Sequence, residues 1–146
     1  MANVIFTNHK KEVEDAMDNA LKTALETVGQ VAEGNAIKEI TGMIYDTAES
    51  PTYVRTGRLR NSITHATKES EGRSFSYSDS QGKQYSDKVG GGIGEYEVWI
   101  GTNVEYAPYV HEGTSKMPPR RFLRAAVEKY VDQYKKLFDE AIKSLR

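Results

Sequence analysis

The sequence predicts an α+β domain in which a long N-terminal helix and a C-terminal helix flank a small antiparallel β-sheet. Apolar residues recur three or four positions apart over residues 10–45 and again over residues 118–146, which is the spacing of an amphipathic helix. Between them, residues 62–68 are strand-like, and residues 74–78 and 96–101 alternate in the two-residue period of a strand. The last strand is expected to pair with one of the other two. Helix, strands and helix in that order are typical of an α+β fold.

The length of 146 residues fits a single domain. We divide it into an N-terminal helix within residues 1–46, a sheet region over residues 55–114 and a C-terminal helix, packed on the sheet, over residues 118–146. Hydrophobic residues make up 38% of the chain and charged residues 28%. This is a small supply of core residues for a protein that stands alone, so we expect an extended fold that partners complete.

The N-terminal helix is predicted as one element over residues 10–45. Its apolar stripe keeps its phase across Gly29 and Gly34, although each glycine costs about 1 kcal/mol relative to alanine. We therefore favour one helix with a soft middle over two helices, with Thr7 or Asn8 as its N-cap. Such a helix is roughly 50 Å long, which exceeds the expected width of the domain, so part of it must project or pack against a neighbour.

Residues 79–95 are predicted to form a mobile loop or hairpin arm. The segment around Gly82 and the glycine-rich run at residues 90–94 offer almost nothing to bury. The run is not followed by the Gly-Lys-Ser/Thr of a nucleotide-binding loop, and the next element reads as a strand. We therefore expect an arm and not a phosphate site.

The net charge of −1 conceals an asymmetry along the chain. Residues 1–54 carry four lysines and nine acidic residues, a net charge of −5, whereas residues 55–125 carry eleven basic and eight acidic residues, a net charge of +3. Opposite faces of this kind could join copies of the chain head to tail. The alternative is that solvated helices simply differ in charge. The nearly neutral total argues against broad nucleic-acid binding.

Composition also restricts the compartment and the chemistry. The chain has no cysteine, which excludes disulfides, zinc–thiolate sites and thiol catalysis. No apolar run approaches the ~20 residues of a membrane span, and the N-terminus lacks the basic start and long apolar stretch of a secretory signal. We expect a protein that is made in a cytoplasm, stays soluble and has no membrane partner.

The three histidines, His9, His65 and His111, offer little support for catalysis. None has a second histidine three or four positions away, as a metal-binding helix face would need. His111 and Glu112 could serve as a general base, but neither an orienting group nor a nucleophile can be named. We expect no enzyme, no catalytic residue, no metal and no cofactor. A small hydrolase built around His111 and Glu112 is kept as a competing hypothesis.

Two groups of arginines and several tyrosines outside the helical stripes are candidate contact residues. Arginines at the start of a helix oppose its dipole, so partner carboxylates, phosphate or the acidic first helix must hold them. Amphipathic aromatic residues suit contact surfaces. The candidate assembly interface comprises Arg58, Arg60, Phe75, Tyr77, Tyr85, Tyr109, Arg120 and Arg121.

Three segments, taken in order, resemble one family of tailed phages. They are Thr-Gly-Arg-Leu-Arg-Asn-Ser-Ile at residues 56–63, Tyr-Ala-Pro-Tyr-Val-His-Glu-Gly-Thr at residues 106–114, and Pro-Pro-Arg-Arg-Phe-Leu-Arg-Ala-Ala at residues 118–126. Together they are similar to the small tail-completion, or head–tail joining, proteins, the gene-product-ten-like minor tail components. This chain departs from the family pattern in lacking an aromatic residue before Gly113 and in carrying Arg121 where a second proline is usual.

The resemblance implies a structural protein of the virion or prophage that forms a ring at the neck, between the head connector and the tail tube. Its partners would be copies of itself and the neighbouring connector and tail proteins, with passing contact with genome DNA. By this analogy the contact surfaces fall in residues 74–93, near Arg58 and Arg120, and at Tyr109. The alternative is a nucleic-acid-binding module that uses the arginine-rich turns and exposed tyrosines, whose affinity should fall steeply with salt.

Overall fold

The computed structural model describes residues 9–45, 57–70, 74–88 and 90–144. The helices in these residues are α1 (Lys10–Ile40, continued by a π-helical turn at Thr41–Tyr45), α2 (Arg58–Asn61), α3 (Ala107–Glu112), α4 (Phe122–Glu128) and α5 (Val131–Lys143). The strands are β1 (Thr64–Thr67), β2 (Ser74–Ser78), β3 (Gln84–Lys88) and β4 (Val98–Gly101). The predicted α+β class is confirmed.

Helix α1 runs without a break, as predicted, and only its second half is deeply buried. The residue before its first turn is His9, whereas Thr7 and Asn8 lie outside the described residues. The buried positions are Ala24, Leu25, Val28, Gly29, Ala32, Ala36 and Ile40. Earlier members of the same stripe are open to solvent, with Val13 55% and Met17 49% exposed. The first half of α1 therefore projects from the packed part of the domain.

The strands form two separate two-stranded antiparallel sheets and not the single sheet that was predicted. In one, β1 pairs with β4, so that Thr64 lies opposite Gly101. In the other, β2 pairs with β3, with Tyr77 opposite Tyr85. Strand β3 falls inside the predicted arm, which is thus largely a hairpin. Its turn is organised by Asp79, whose Oδ1 accepts from the backbone N–H groups of Gln81 and Lys83, each at 2.9 Å.

The C-terminal region differs from its prediction in two respects. The helix starts at Phe122 instead of Pro118, because the two prolines belong to the extended turn that precedes it, and it is interrupted between α4 and α5. Both helices pack mainly against α1 and not on the sheet. Lys129 Nζ and Tyr130 Oη donate to Glu39 Oε1 at 2.9 and 2.8 Å. The wide apolar stripe of α1 offers these helices more surface to cover than a two-stranded sheet does.

The main core lies at the C-terminal end of α1, where the recognised sequence segments meet. Its buried residues are Ala36, Ile40, Leu59, Ile63, Val104, Ala107, Phe122 and Ala126. The first segment contributes Leu59 and Ile63, the second contributes Ala107, and the third contributes Phe122 and Ala126. The three segments are therefore packed on one another although they are distant in sequence.

Gly29 allows the β1–β4 sheet to pack directly on α1. A Cβ atom at this position would lie 2.6 Å from His65 Cδ2 and 2.8 Å from Val98 Cγ2. By contrast, a Cβ at Gly34 would meet nothing within 4 Å. Both glycines were predicted to soften one helix. The structure shows that Gly29 instead lets the side chains of His65 and Val98 approach the helix closely.

His65 links the same sheet to α1 through two carboxylates. Its buried ring places Nδ1 2.5 Å from Glu33 Oε2 and Nε2 2.7 Å from Glu26 Oε1. The two glutamates flank Gly29 on one face of α1. The hydrogen bond to Glu33 raises the pKa of His65 above its ordinary value, burial opposes that change, and the hydrogen bond to Glu26 adds to it. The cationic imidazole thus holds β1 on the helix.

We expect Gly29→Ala to lower the free energy of unfolding by about 1–3 kcal/mol, because the new methyl group overlaps the His65 ring and Val98. The matched variant Gly34→Ala should raise it by about 0.5–1 kcal/mol, because it gains helix propensity in open space. Urea denaturation measures both. Equal stabilisation by the two substitutions would show that the sheet does not pack on Gly29 as described.

The stability of the protein should also depend on the charge of His65. Because the folded-state pKa is raised from 6.5, the stabilisation is fully present below that value and is lost as the pH rises through the raised pKa. Denaturation midpoints measured between about pH 6 and pH 9 should therefore fall with increasing pH. His65→Gln should abolish most of this decline and Glu33→Gln should weaken it. A decline that is identical in all three proteins would contradict the assignment.

Candidate assembly interface

The first recognised segment positions Arg58 at the start of α2. Gly57 enters the helix in the left-handed region with φ 82°, and its carbonyl accepts from the Asn61 N–H. The Arg58 guanidinium then forms two parallel hydrogen bonds to one carboxylate: Nη1 lies 2.9 Å from Glu105 Oε1 and Nη2 lies 2.8 Å from Oε2. This fork geometry is the strong form of an arginine–carboxylate pair, and Glu105 raises the pKa of Arg58 above its ordinary value.

Arg58 also docks the β2–β3 hairpin on α2. Its guanidinium carbon lies 4.5 Å from the ring centre of Tyr85 and 5.6 Å from that of Tyr106, and Arg58 hydrogen-bonds to the Tyr77 side chain. The rings of Tyr77 and Tyr85 are stacked across the hairpin with their centres 5.6 Å apart. Asn61 Nδ2 donates to the Ser78 carbonyl and adds a second attachment. The hairpin is therefore anchored beside its turn, at the Tyr77–Tyr85 end and not at the Ser74–Lys88 end, while its mobility stays a prediction.

The predicted interface residues Arg58, Tyr77 and Tyr85 are thus brought together, but they contact one another. Phe75 lies on the same face of β2 as Tyr77, and both side chains are half-buried. Arg60 is half-buried on α2. A role of this group in assembly stays a prediction, because the structure shows only what it does within the chain.

The second segment forms α3, which the sequence did not predict, followed by a tight return. Gly113 ends the helix at φ 81°, and a Cβ there would lie 2.7 Å from Pro119 N and 2.9 Å from Met117 O. The position therefore requires glycine for its backbone angle and for the close approach of the returning chain. The Arg120 N–H then donates to the Val110 carbonyl at 3.0 Å. This return aligns the third segment along α3.

His111 serves as a structural link between α3 and α4. Its Nδ1 lies 2.7 Å from Glu112 Oε1, and its Nε2 accepts from the Arg124 backbone N–H at 3.3 Å. An accepting Nε2 places the ring proton on Nδ1. The ring also meets Phe122 edge-on with centres 5.4 Å apart. With both nitrogens engaged, this geometry gives the hydrolase hypothesis no support.

Of the arginines of the third segment, Arg121 and Arg124 are exposed, whereas Arg120 is half-buried. Arg121 Nε lies 3.5 Å from Glu112 Oε2, and Arg124 Nε lies 2.9 Å from Glu128 Oε1. Exposed ion pairs of this kind contribute only about 0–1 kcal/mol, so a partner can displace them. Tyr109, three residues before Glu112 on α3, is 62% exposed. Tyr109, Arg121 and Arg124 therefore form an exposed surface, which we call the arginine patch.

The sequence did not show which other large apolar side chains are exposed. Outside the arginine patch, the large apolar side chains open to solvent in the described residues are Val13, Met17, Tyr96, Trp99, Val127, Val131 and Ile142. Helix α5 is strongly amphipathic, yet none of its residues is buried. The stripes of α1 and α5 were visible in the sequence, but how much of each the fold covers depends on packing.

The described residues contain neither a membrane-spanning helix nor a metal-binding cluster. No helix within residues 9–45, 57–70, 74–88 and 90–144 is both long and apolar enough to cross a membrane. Over the same part of the chain, no group of three or more histidine, aspartate or glutamate side chains is placed to hold a metal ion.

Comparison with known protein families identifies the class of protein. A family of bacteriophage tail components matches residues 6–113, which is most of the chain and includes the first recognised segment and nearly all of the second. The family is described as "Bacteriophage HK97-gp10, putative tail-component", and the chain belongs to it. The resemblance drawn from the sequence is confirmed. Searches of curated proteins and of solved structures found no match.

Membership of this family establishes the coarse function. The protein is a component of a phage tail, its place is in the virion, and it contacts other structural proteins of the phage.

We expect Arg58→Ala to release the hairpin, because it removes the paired hydrogen bonds to Glu105 and the contacts with Tyr77 and Tyr85. Amide hydrogen exchange over residues 74–88 should become about tenfold faster, the effect of losing one charge-assisted contact of about 1.5 kcal/mol. Arg124→Ala, which removes an exposed arginine–glutamate pair, is the matched control and should leave exchange in the hairpin unchanged. Unaltered protection in both variants would show that Arg58 does not anchor the arm.

Proposed function

We propose that this tail component completes the tail at the head–tail junction, where copies assemble into a ring that joins tail to head. In this role the protein is structural and performs no catalysis. The observation that carries the proposal is that part of the apolar face stays uncovered on each of two helices, at Val13 and Met17 of α1 and at Val131 and Ile142 of α5. Membership of the family supports a tail protein, and the uncovered faces support assembly.

The uncovered faces are placed where neighbours could reach them. Val13 and Met17 lie on the projecting half of α1, and Val131 and Ile142 lie on α5, which packs against α1. Burying apolar surface of this kind drives association at about 25 cal/mol per Å² before the costs of binding. The low hydrophobic content of the chain fits a domain whose core is completed by other copies.

The two sheets supply further open surface. Each has two strands in the described residues; β1 is buried throughout and offers no open edge, whereas the described side chains of β2, β3 and β4 are at most partly buried. Open edges can accept a strand from another chain. The β2–β3 hairpin, held beside its turn by Arg58, presents such an edge and is a candidate contact with the connector or tail tube.

The nucleic-acid-binding alternative receives less support. Arg58 is held by Glu105 and three tyrosines, and Arg121 and Arg124 each lie beside a carboxylate. A DNA-binding face normally presents a strongly basic surface, and the net charge here is −1. Passing contact with genome DNA in the neck stays a prediction.

The function is tested by deleting the gene from its phage and examining the products by electron microscopy. We expect filled heads and separate tails, and no infectious particles. Supplying the wild-type chain in trans should restore joined particles. Normal particles in the absence of the protein would refute the proposal, and joined particles with altered tail length would assign the protein to the tail but not to the junction.

A further inference from the structure

The projecting half of α1 forms one side of a shallow groove with an apolar floor and an acidic rim. Met17 and Tyr96 supply the apolar surface, and Glu14, Asp15, Asp18 and Glu95 supply carboxylates. Tyr96 Oη donates to Asp18 Oδ1 at 2.7 Å, which fixes the ring beside the helix. Val13 extends the apolar strip by one helical turn. We call this surface the acidic groove.

The negative charge of the groove is only partly compensated. Lys22 Nζ lies 3.0 Å from Asp18 Oδ2, and Lys10 Nζ lies 3.8 Å from Glu14 Oε1. These are pairs along one helix at its surface, where each contributes a few tenths of a kcal/mol. With Asp15 and Glu95 added, the groove keeps an excess of negative charge around an apolar centre.

The arginine patch has the complementary composition. Tyr109 is an exposed aromatic side chain, and residues 109–128 carry four basic and two acidic residues. An aromatic side chain beside arginines is the combination that interface centres favour. The patch thus presents an apolar protrusion with a positive rim, whereas the acidic groove presents an apolar concavity with a negative rim.

The two surfaces cannot meet within one molecule. The patch belongs to α3 and α4, which pack around Ala36 and Ile40, whereas Met17 lies near the other end of α1. Nineteen residues of helix separate Met17 from Ala36, a distance of about 28 Å along the axis. A contact between them must join two copies, and because the surfaces differ, it repeats head to tail and closes into a ring if the rotation allows.

We propose that the acidic groove of one copy receives the arginine patch of the next, with Tyr109 seated against Met17 and Tyr96 and with Arg121 and Arg124 facing the carboxylates. This contact rests on the proposed ring and specifies which surfaces form it. Each copy uses its groove for one neighbour and its patch for the other. The polarity of charge along the chain then sets the direction of the ring.

The contact is tested by site-specific crosslinking, for which the chain is suited because it has no native cysteine. The double variant Met17→Cys/Tyr109→Cys should give covalent ladders with a short thiol crosslinker, both in particles and in the concentrated full-length protein. The control Met17→Cys/Lys136→Cys pairs the groove with an exposed residue on the polar side of α5, and should give no ladder. Circular dichroism establishes that both variants fold.

The outcomes separate this contact from the ring itself. In one outcome, the Met17→Cys/Tyr109→Cys variant gives no ladder in particles, although a lysine-reactive reagent still crosslinks neighbouring copies of the wild-type chain. The ring then stands and the proposed contact is wrong. If the lysine reagent also joins no copies, both the ring and the contact are refuted. A ladder of equal intensity in the control variant also rejects the specific pairing.

Charge reversal provides an independent measurement in the same crosslinking background. Asp15→Lys/Glu95→Lys, or Arg121→Glu/Arg124→Glu, should each reduce the ladder about tenfold at low salt, and all four substitutions in one chain should restore it. The matched control Asp132→Lys/Glu140→Lys makes the same charge change on α5 and should have little effect. A fourfold variant no better than either pair would show that the surfaces are not matched by charge.

Discussion

Burial of helix α1 requires two separate layers, one on each of two sides of the helix, and the rest of the domain is arranged to supply them. On one side the β1–β4 sheet rests on Gly29, and the His65 ring is held between Glu26 and Glu33. On another side α4 and α5 cover the helix, with polar contacts to Asn35 and Glu39. Neither layer has a large core of its own. Because the sheet and the C-terminal helices both end near the middle of α1, the apolar residues Val13 and Met17 in its first half stay exposed.

The recognised sequence segments owe their form to packing as much as to contact with partners. Their apolar residues meet in one core around Phe122, and their glycines permit turns that other residues would strain. Arg58 is paired with Glu105, whereas the sequence had left open a partner carboxylate, a phosphate or the acidic first helix. Arg121, by contrast, points outward. The arginines of one family pattern can therefore have opposite roles.

A tail component that must join other proteins gains from a domain with incomplete surfaces. The packed half supplies a rigid base, and the projecting helix, the hairpin and α5 supply surfaces that become useful only when they are covered. Apolar area left open by a monomer is a source of association energy, and charge on its rim selects the partner and its orientation.

The sequence by itself determined the class of the fold, the single long α1, the α2 turn, strands β1, β2 and β4, and the family, because periodicity and short-range turn chemistry are local properties. It did not reveal β3, α3, the break before α5 or the second sheet, since short elements depend on what packs against them. Only the tertiary structure decided that the β1–β4 sheet packs closely on Gly29. It also placed His65 between two glutamates that lie 32 and 39 residues away in sequence, and it placed the Arg58 guanidinium over the ring of Tyr85. These outcomes depend on distances between segments far apart in the chain, which no local pattern encodes.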